Sequence, residues 1–223
     1  MCSGIILTDE PQQVDITEKI TPFYDYVFTN DKNTVQVHKD AKKKNLDQDT
    51  VFYLPTGFDP EIFNNILKPK HKRDIDVLVA GSMYQNRLEF LDTKCGFLTK
   101  YRSKIIGRPA NKYDFINKDI ESLWENRSLT IEETAEVTKK AKISILIPKE
   151  TDHSEYGLTN RSKIEPHNLS PRMYEIVACG SIPFVHESMK NVVSEAFGNG
   201  GFVVFNESNI ESKIKEFLRK TNK

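Results

Sequence analysis

Long hydrophobic runs are absent from this sequence, and cysteine is scarce. The longest apolar runs have about five residues, whereas a membrane-spanning helix needs about 20. The first residues, MCSGIILTDEP, lack a basic segment followed by a long apolar one, so they do not match a secretory signal. The cysteines are Cys2, Cys95 and Cys179, an odd number without metal-type or redox-type spacing. The sequence therefore predicts a protein without a membrane span in a reducing, cytoplasmic compartment.

An excess of charge of one sign is also absent. Lysine and arginine total 32 residues, and aspartate and glutamate total 32. No net electrostatic field therefore directs the protein towards nucleic acid or a membrane surface. Two lysine-rich segments, 39–44 and 68–73, leave nucleic-acid binding open as an alternative, although such blocks are usually solvated surface.

Motifs for the common cofactors are missing as well. No G-x-G-x-x-G follows a predicted strand and no G-x-x-x-x-G-K-[ST] occurs, so neither a dinucleotide fingerprint nor a P-loop is predicted. No cluster of histidine, aspartate or glutamate has the spacing of a metal site. We therefore expect no metal and no cofactor.

What the chain does contain, from about residue 74 onward, is an alternation of apolar strands and helices. DIDVLVAG and ISILIP are typical of buried strands, and the helix TIEETAEVTKKAK starts with a capping-box pattern at Thr130 and Glu133. Ser208 and Glu211 repeat that pattern before a C-terminal helix. Such alternation predicts an α/β fold with a Rossmann-like parallel sheet, whose ligands bind where the strands end.

Two lobes are predicted. Residues 1–65 hold three strands, in GIIL, YDYVFT and VFYLP, too few for a complete doubly wound domain. A polar linker near residues 66–74 leads from this partial N-terminal lobe into a C-terminal lobe at 66–223. An incomplete lobe leaves strand edges and apolar surface uncovered, which favours a homo-oligomer or a partner chain that completes it.

The stretch NLSPRMYEIVACGSIPFV, residues 168–185, carries the strongest functional signal. Ser170 fits the N-cap of a helix, Pro171 its first position and Gly180 the position after its end. The free N–H groups at the start of this helix, which spans about 171–179, form a site for an anion. Its apolar residues are expected to face the sheet: Met173, Ile176 and Val177.

Arg172 lies in the first turn of that helix, where the helix dipole disfavours a cation unless an anion binds nearby. A phosphate would supply that anion. The alternative is local, an ion pair between Arg172 and Glu175 at i, i+3. Glu175 lies one turn further on, where a carboxylate can accept two hydrogen bonds from the hydroxyls of a ribose. In the context of a strand, a loop and a helix, the two residues indicate a nucleotide-sugar site.

These segments resemble a known family. RMYEIVACGSIPFV, DVLVAGSMYQNR and LPTGFDPEIF are similar to the CgeB-type glycosyltransferases of spore maturation and to the donor lobe of the wider glycosyltransferase group 1, which has the GT-B fold. TDEP and YDYVFTND resemble the end of that family's N-terminal domain. The resemblance covers about residues 5–206 and specifies the donor lobe better than the sugar or the acceptor.

The resemblance implies roles for residues of this chain. Glu175 would bind the ribose of a nucleotide-sugar, and the other donor-binding residues would lie along the diphosphate and the sugar: Gly81, Ser82, Arg87, Ser170 and Arg172. Enzymes with this fold use helix dipoles and cations, in place of a metal, around the leaving diphosphate. The resemblance therefore implies a metal-independent glycosyltransferase that retains the anomeric configuration.

The chain also departs from the family pattern. In the wider group an acidic residue stands eight positions before the ribose-binding glutamate, and here His167 occupies that position. His167, Arg172 and the Asp9 of TDEP are the candidate catalytic residues, with Asp9 on the acceptor side as either an acceptor-binding group or a base. A loop histidine and a turn carboxylate are the structural alternatives. The connection 149–167 is long and contains several cations, as expected of a lid.

The predicted function is the transfer of a sugar from a nucleotide diphosphate donor to an unknown acceptor. Because His167 replaces the acidic residue and the N-terminal lobe is short, a second interpretation stays open. In that interpretation the chain is a non-catalytic nucleotide-sugar-binding protein or a subunit of a split transferase.

Overall fold

The structure is a computed structural model that describes residues 2–43, 48–64, 73–109, 111–151 and 159–221. The chain folds into two compact units, each built from discontinuous segments. The first unit contains Met1–Gly57 and Glu150–Ser170, and the second contains Phe58–Lys149 and Pro171–Lys223. Most of the predicted linker at 66–74 lies outside the described residues.

The first unit contains a sheet of three parallel strands in the order β1-β2-β3, at Gly4–Leu7, Tyr26–Thr29 and Val51–Tyr53. Helix α1 (Val14–Ile20) connects β1 to β2, and helix α2 (Val35–Lys42) lies between β2 and β3 in the chain. The strands lie where the apolar segments GIIL, YDYVFT and VFYLP predict them.

The two faces of this first sheet differ in exposure. One face carries the buried core of the unit: Leu7, Val27 and Val51. On the opposite face, Ile6 is 62% exposed and Phe52 is 42% exposed, with Phe28 stacked on Phe52 at a centroid distance of 5.6 Å. Parallel sheets in α/β proteins are normally covered on both faces. The first sheet therefore has apolar residues on both faces and a buried core on one.

The segment Glu150–Ser170 packs with the first unit through buried hydrogen bonds. Asp31, just beyond the end of β2, is fully buried, and its Oδ2 accepts hydrogen bonds from the His167 backbone N–H (2.7 Å) and from the Asn168 side chain (2.6 Å). Asn168 also donates to the Glu10 carbonyl at 2.7 Å. The sequence-based boundary assigns this segment to the C-terminal lobe, whereas its contacts group it with the first unit, where its polar groups find partners.

The second unit is built on six parallel strands in the order β6-β5-β4-β7-β8-β9. In chain order the strands are β4 at Ile75–Ala80, β5 at Ser103–Ile106, β6 at Trp124–Glu125, β7 at Ala141–Leu146, β8 at Ile182–His186 and β9 at Val203–Phe205. Counted within the unit, this is the 3-2-1-4-5-6 order of a Rossmann sheet. The predicted α/β class with a Rossmann-like parallel sheet is confirmed.

Helices pack against both faces of this second sheet. They are α3 at Gln85–Lys94, α4 at Lys118–Ser122, α5 at Ile131–Lys140, α6 at Pro171–Ala178, α7 at Lys190–Phe197 and α8 at Ile210–Thr221. The largest buried cluster joins the sheet to α3, α4 and α8, and it includes Val77, Val79, Leu88, Leu91, Ile120 and Ile214. A smaller cluster joins the other face to α5: Ile75, Leu78, Ile106 and Val137. Within the described ranges, no helix is both long enough and apolar enough to cross a membrane.

The predictions about helix starts have different outcomes. Thr130 and Glu133 form both hydrogen bonds of a capping box at the start of α5, as predicted. The same prediction for Ser208 is wrong, because its hydroxyl donates to the Asn206 side chain at 2.8 Å and α8 begins two residues later. The Asn206 N–H in turn donates to the Asn209 side chain, so this turn satisfies its own polar groups.

Candidate functional site

The loops that follow β4 and β5 lie side by side at the carboxyl edge of the second sheet. Gly81 and Ser82 follow β4, and Arg108 lies two residues beyond β5. The Gly81 N–H donates to the Ile106 carbonyl at 3.1 Å, and the Met83 N–H donates to the Arg108 carbonyl at 3.2 Å. Hydrogen bonding between the two chain segments therefore continues past the strands and fixes the positions of Gly81 and Ser82.

Glycine is required where these two loops meet. A Cβ atom on Gly107 would lie 2.0 Å from the Gly81 carbonyl oxygen and 2.9 Å from the Met83 side chain, so no other residue fits without moving a backbone. Gly81 has a φ of +138°, a conformation that residues with a side chain rarely adopt. The two glycines allow the loops to approach each other closely. Because neither glycine has a side chain, backbone atoms border the space above the loops.

A cavity of about 260 Å³ lies at this edge. Its walls come from the ends of β4 and β5 with their loops, from the start of α5 and from the first turn of α6: Ala80, Gly81, Ser82, Ile106, Gly107, Arg108, Ser128, Leu129, Thr134 and Arg172. All of these residues belong to the second unit. Three of the predicted donor-binding residues, Gly81, Ser82 and Arg172, are thus brought to one cavity.

Arg172 points inwards because of its place on helix α6. Arg172, Ile176 and Cys179 are spaced i, i+4 and i+7, which puts them on one face of a helix. Ile176 and Cys179 are at most 1% exposed, and the Arg172 side chain is 14% exposed. Burial lowers the pKa of Arg172 below its usual value. Val177, which was expected to face the sheet with Met173 and Ile176, is instead 37% exposed, because it lies off the edge of this face.

Two acceptors hold the Arg172 guanidinium. Its Nη2 donates to Thr138 Oγ1 at 2.6 Å, and its Nη1 donates to Glu175 Oε2 at 3.3 Å. The local ion pair at i, i+3 that the sequence offers as an alternative is therefore formed. It does not displace the other interpretation, because the same Arg172 side chain also lines the cavity.

Arg87 lies beside the loop after β4, outside the lining of the cavity. Its Nη1 donates to the Ser82 carbonyl at 2.8 Å, and its guanidinium lies over the Tyr84 ring at 5.2 Å. Burial lowers the pKa of Arg87 to about 10. Its buried Nε has no hydrogen-bond partner in the described part of the chain. A second cation is thus fixed next to Ser82.

Glu175 and Ser170 do not line the cavity. The Glu175 side chain is 17% exposed and contacts Arg172, which does line the cavity. Ser170 directly precedes α6 and groups by its contacts with the first unit.

Asp9 and His167 both belong to the first unit. The Asp9 carbonyl accepts a hydrogen bond from the Gln13 N–H, within the turn that follows β1. His167 is held through its backbone, because its N–H donates to Asp31 and its carbonyl accepts from the Lys32 N–H at 3.4 Å. The predicted lid at 149–167 lies partly outside the described residues, as 152–158 are not described.

Three polar residues that line the cavity were not singled out from the sequence, nor was the residue behind Arg172 that accepts its hydrogen bond: Arg108, Ser128 and Thr134 line the cavity, and Thr138 is that acceptor. A signal for Arg108 was present, because the segment KIIGR, like DVLVAG, is an apolar run that ends in glycine. Thr134 and Thr138 are spaced i, i+4 on α5, which places them on one helix face. Nothing in the sequence shows that this face meets Arg172.

A larger cavity, of about 440 Å³, lies between the same sheet and helix α5. Its lining extends from Asp74 and Arg102, which precede β4 and β5, to Ile106 and Leu129, which also line the first cavity. Three of its four cations form ion pairs: Arg102 with Asp76 at 2.8 Å, Lys104 with Glu125 at 3.0 Å and Arg127 with Glu133 at 3.0 Å.

The lysine-rich segments do not form an open basic surface in the described residues. Lys42 is fully buried, and its ammonium donates to the Tyr24 and Asp25 carbonyls at 2.7 Å each. Lys43 forms an ion pair with Asp40. Segment 68–73 lies outside the described residues apart from its last residue. In the same described ranges, no group of three histidine, cysteine, aspartate or glutamate side chains is placed to hold a metal ion.

The fold is similar to that of a solved protein. No family model and no curated protein sequence matches this chain. Two structures of HepE (Alr3699) from Anabaena, one in complex with UDP-glucose and one with UDP and glucose, match with TM-scores of 0.53 and 0.51 at 10% identity. The matches cover 98% of this chain and 63% and 62% of the HepE chain, so this chain spans less than two thirds of HepE. The predicted fold, Rossmann-like parallel sheets of the GT-B type, is confirmed by this likeness.

Proposed function

We propose that this protein transfers a sugar from a nucleoside diphosphate donor to an acceptor hydroxyl. One observation carries the proposal. The cavity at the ends of β4 and β5 combines close-packed glycine loops with an inward-pointing arginine on the first turn of a helix. In sheets of this order, that edge is where nucleotides bind.

A diphosphate accounts for the unusual position of Arg172. The first N–H groups of a helix have no partner within the helix, and the dipole is positive at that end, so an anion at the start of α6 is favourable and a lone cation is not. Arg172 is nevertheless held there with its guanidinium at the cavity. Arg87 supplies a second fixed cation next to Ser82. Cations and N–H groups fixed before the reaction stabilise the charge that develops on a departing diphosphate.

The size of the cavity fits part of a nucleotide-sugar. Complete small-molecule sites have volumes of roughly 300–1,000 Å³, and this cavity has about 260 Å³. It would therefore enclose the nucleoside diphosphate portion of the donor and leave the sugar outside. That HepE was solved with UDP-glucose, on a similar fold, supports a UDP-sugar as the first donor to test.

The finer features of the proposal follow the family resemblance. The transfer would be metal-independent and would retain the anomeric configuration, as in the CgeB-type enzymes. Asp9 would act as the acceptor-side base, and His167 would orient the sugar or the leaving phosphate. Both act in transfer and not in holding the nucleotide. Glu175, released from Arg172 when a diphosphate arrives, would accept hydrogen bonds from the ribose.

The first test is binding. Thermal unfolding and calorimetric titration with UDP, GDP, dTDP, ADP and their sugars should identify one nucleotide that raises the melting temperature by several degrees at about 100 times its Kd. The shift should disappear in Glu175→Ala and in Arg172→Ala. Glu216→Ala is the matched control, because Glu216 also forms a helical ion pair, with Lys220, but on α8. A well-folded protein that responds to none of these nucleotides would contradict the proposal.

Transfer is tested separately. A nucleotide-sugar that binds should release its nucleoside diphosphate in the presence of EDTA, and the NMR coupling constant of the new anomeric proton should report retention. Binding that depends on Glu175 without any release of nucleotide would favour the second candidate, a non-catalytic nucleotide-sugar-binding protein. One observation favours that candidate: His167 stands at the family's acidic position.

A further inference from the structure

We propose that Thr138 is the positioning residue that orients Arg172 in the donor cavity. This inference rests on the proposed function for its effect on the ligand, and on geometry for its effect on Arg172. Thr138 does not line the cavity and does not touch the space where a ligand would bind. It acts through the guanidinium that does.

The Thr138 hydroxyl has a fixed direction. A hydroxyl has one proton to donate, and the Thr138 hydroxyl donates it to the Thr134 carbonyl, one turn earlier on α5, at 2.6 Å. The oxygen can therefore act towards other groups only as an acceptor. Threonine is also stiff at χ1, because its Cβ is branched. Both the acceptor role of the Thr138 oxygen and its direction are therefore fixed. The donor that it meets is Arg172 Nη2, at 2.6 Å.

The contact joins two helices. Glu175 holds the other branch of the guanidinium, but it lies on the same helix as Arg172 and at a longer distance, 3.3 Å. Thr138 lies on α5, and the cavity wall includes Thr134 of the same helix and Leu129, which precedes the helix. Thr138 is completely buried, so water does not compete for its oxygen. The shorter hydrogen bond, to Thr138, therefore fixes the position of Arg172 relative to the wall of the cavity. The bond to Glu175 fixes Arg172 only relative to its own helix.

This arrangement also lets Glu175 leave. When a ribose takes the Glu175 carboxylate, the guanidinium keeps its hydrogen bond to Thr138 and remains directed at the diphosphate. Without the Thr138 hydroxyl, Arg172 would have one fixed partner, and that partner is the group the ligand needs. We therefore expect loss of the hydroxyl to weaken binding of the diphosphate rather than to unfold the protein.

Two variants separate the hydroxyl from its surroundings. Thr138→Val keeps the shape of the side chain and removes the oxygen, and Thr138→Ser keeps the oxygen and removes the methyl group. For the nucleoside diphosphate that binds the wild type, Thr138→Val should raise the Kd about tenfold, the size expected for one hydrogen bond to a charged group. Thr138→Ser should stay within about threefold. Thr93→Val is the control, because the Thr93 hydroxyl also donates to a carbonyl one turn earlier, on the exposed face of α3.

A double-mutant cycle and a spectroscopic signal complete the test. In an Arg172→Ala background, titrated to higher nucleotide concentrations because its binding is weaker, Thr138→Val should have no further effect on the Kd, because the two residues act as one unit. In 15N-arginine NMR spectra without ligand, the Arg172 side-chain signal, assigned with Arg172→Lys, should move in Thr138→Val and return in Thr138→Ser.

Each failure has a distinct meaning. Equal Kd values for Thr138→Val and the wild type, or equal losses in the Val and Ser variants, would overturn the inference and leave the proposed function standing. A wild type that binds no nucleotide would contradict the proposed function. The inference would then be decided by the NMR signal alone, and an Arg172 signal that is unchanged in Thr138→Val would overturn it.

Discussion

The two sheets of this protein have similar strands and different surroundings. In the second sheet, helices cover both faces, and strand residues such as Phe184 and Leu78 are completely buried. In the first sheet, the face opposite the core exposes Ile6 and Phe52. Both sheets are parallel and have largely apolar strands, as strands buried on two faces do. The composition of the strands therefore indicates that both faces of a sheet are suited to burial, and the exposure of the side chains shows whether both faces are buried.

The largest expected effect tests whether the two sheets differ in solution as they do in the structure. Phe184→Ala should lower the free energy of unfolding by about 3–5 kcal/mol, because Phe184 is fully buried and packs edge-to-face on Phe217 at 5.9 Å. Phe52→Ala, on the exposed face of the first sheet, should cost about 1 kcal/mol or less. Urea denaturation of both variants measures the contrast.

Protein concentration is the control for that contrast. If Phe52→Ala costs as much as Phe184→Ala, and the cost rises with protein concentration, then a second copy of the chain covers the first sheet in solution. Sedimentation velocity would detect that association directly, and Ile6→Ser combined with Phe52→Ser should abolish it. An equal cost that does not depend on concentration would contradict the comparison itself.

A second, smaller effect concerns which unit binds the donor and which unit supplies a group for transfer. If donor binding belongs to the second unit and Asp9 acts in transfer, Asp9→Asn should lower kcat about 100-fold, the low end for loss of a general base. The Kd for the nucleotide should stay within about twofold, because Asp9 belongs to the first unit. Single-turnover kinetics and calorimetry measure the two quantities. A large change in Kd with unchanged kcat would reverse the assignment.

The smallest effect compares two carboxylates, one in each unit. Burial raises the pKa of Asp31 in the first unit, whereas Arg102 and Lys142 hold the pKa of Asp76 in the second unit well below the usual 3.8. Ionised Asp76 therefore stabilises the fold above about pH 4, and that contribution is lost as pH falls through its folded pKa. Asp76→Asn should cost about 1 kcal/mol near pH 7 and less at pH 3.

Asp31 should show the opposite sign. A raised pKa means that ionisation is disfavoured in the folded state, so its cost is absent below about pH 3.8 and grows as pH rises through the folded pKa. That slope in the unfolding free energy should disappear in Asp31→Asn. Equal slopes for the Asp31 and Asp76 variants would show that the two environments do not differ.

The sequence predicted the elements that depend on local pattern. The segments that form β4, β7 and β8 are short and mostly apolar, and helix α5 begins with a capping box, so these signals do not depend on distant residues. The short strand β6 at Trp124–Glu125 was not predicted, since two residues show no periodicity. The placement of 150–170 was not predictable either. It depends on hydrogen bonds from His167 and Asn168 to Asp31, more than 130 residues away in the chain.

The candidate site divides in the same way. Gly81, Ser82 and Arg172 could be placed near one edge, because strand ends and helix starts can be read from the sequence. The inward direction of Arg172 could also be predicted from its i, i+4, i+7 spacing with Ile176 and Cys179. Instead, Val177 was predicted to lie on the buried face of the helix. Thr138 was not readable. Its role depends on which face of α5 meets α6, and that is decided by packing and not by pattern.

The contact between Gly107 and the Gly81 carbonyl has a consequence for how this protein can change over evolutionary time. A side chain in the cavity can drift, since another cation or hydroxyl can replace it, and the fold persists at 10% identity to HepE. No side chain can replace the glycine at Gly107, because the space of its Cβ atom is occupied by the Gly81 carbonyl. In a set of divergent relatives that have exchanged every polar group of the cavity, glycine should still stand at this position. Relatives that have lost it should have lost the close approach of the two loops as well.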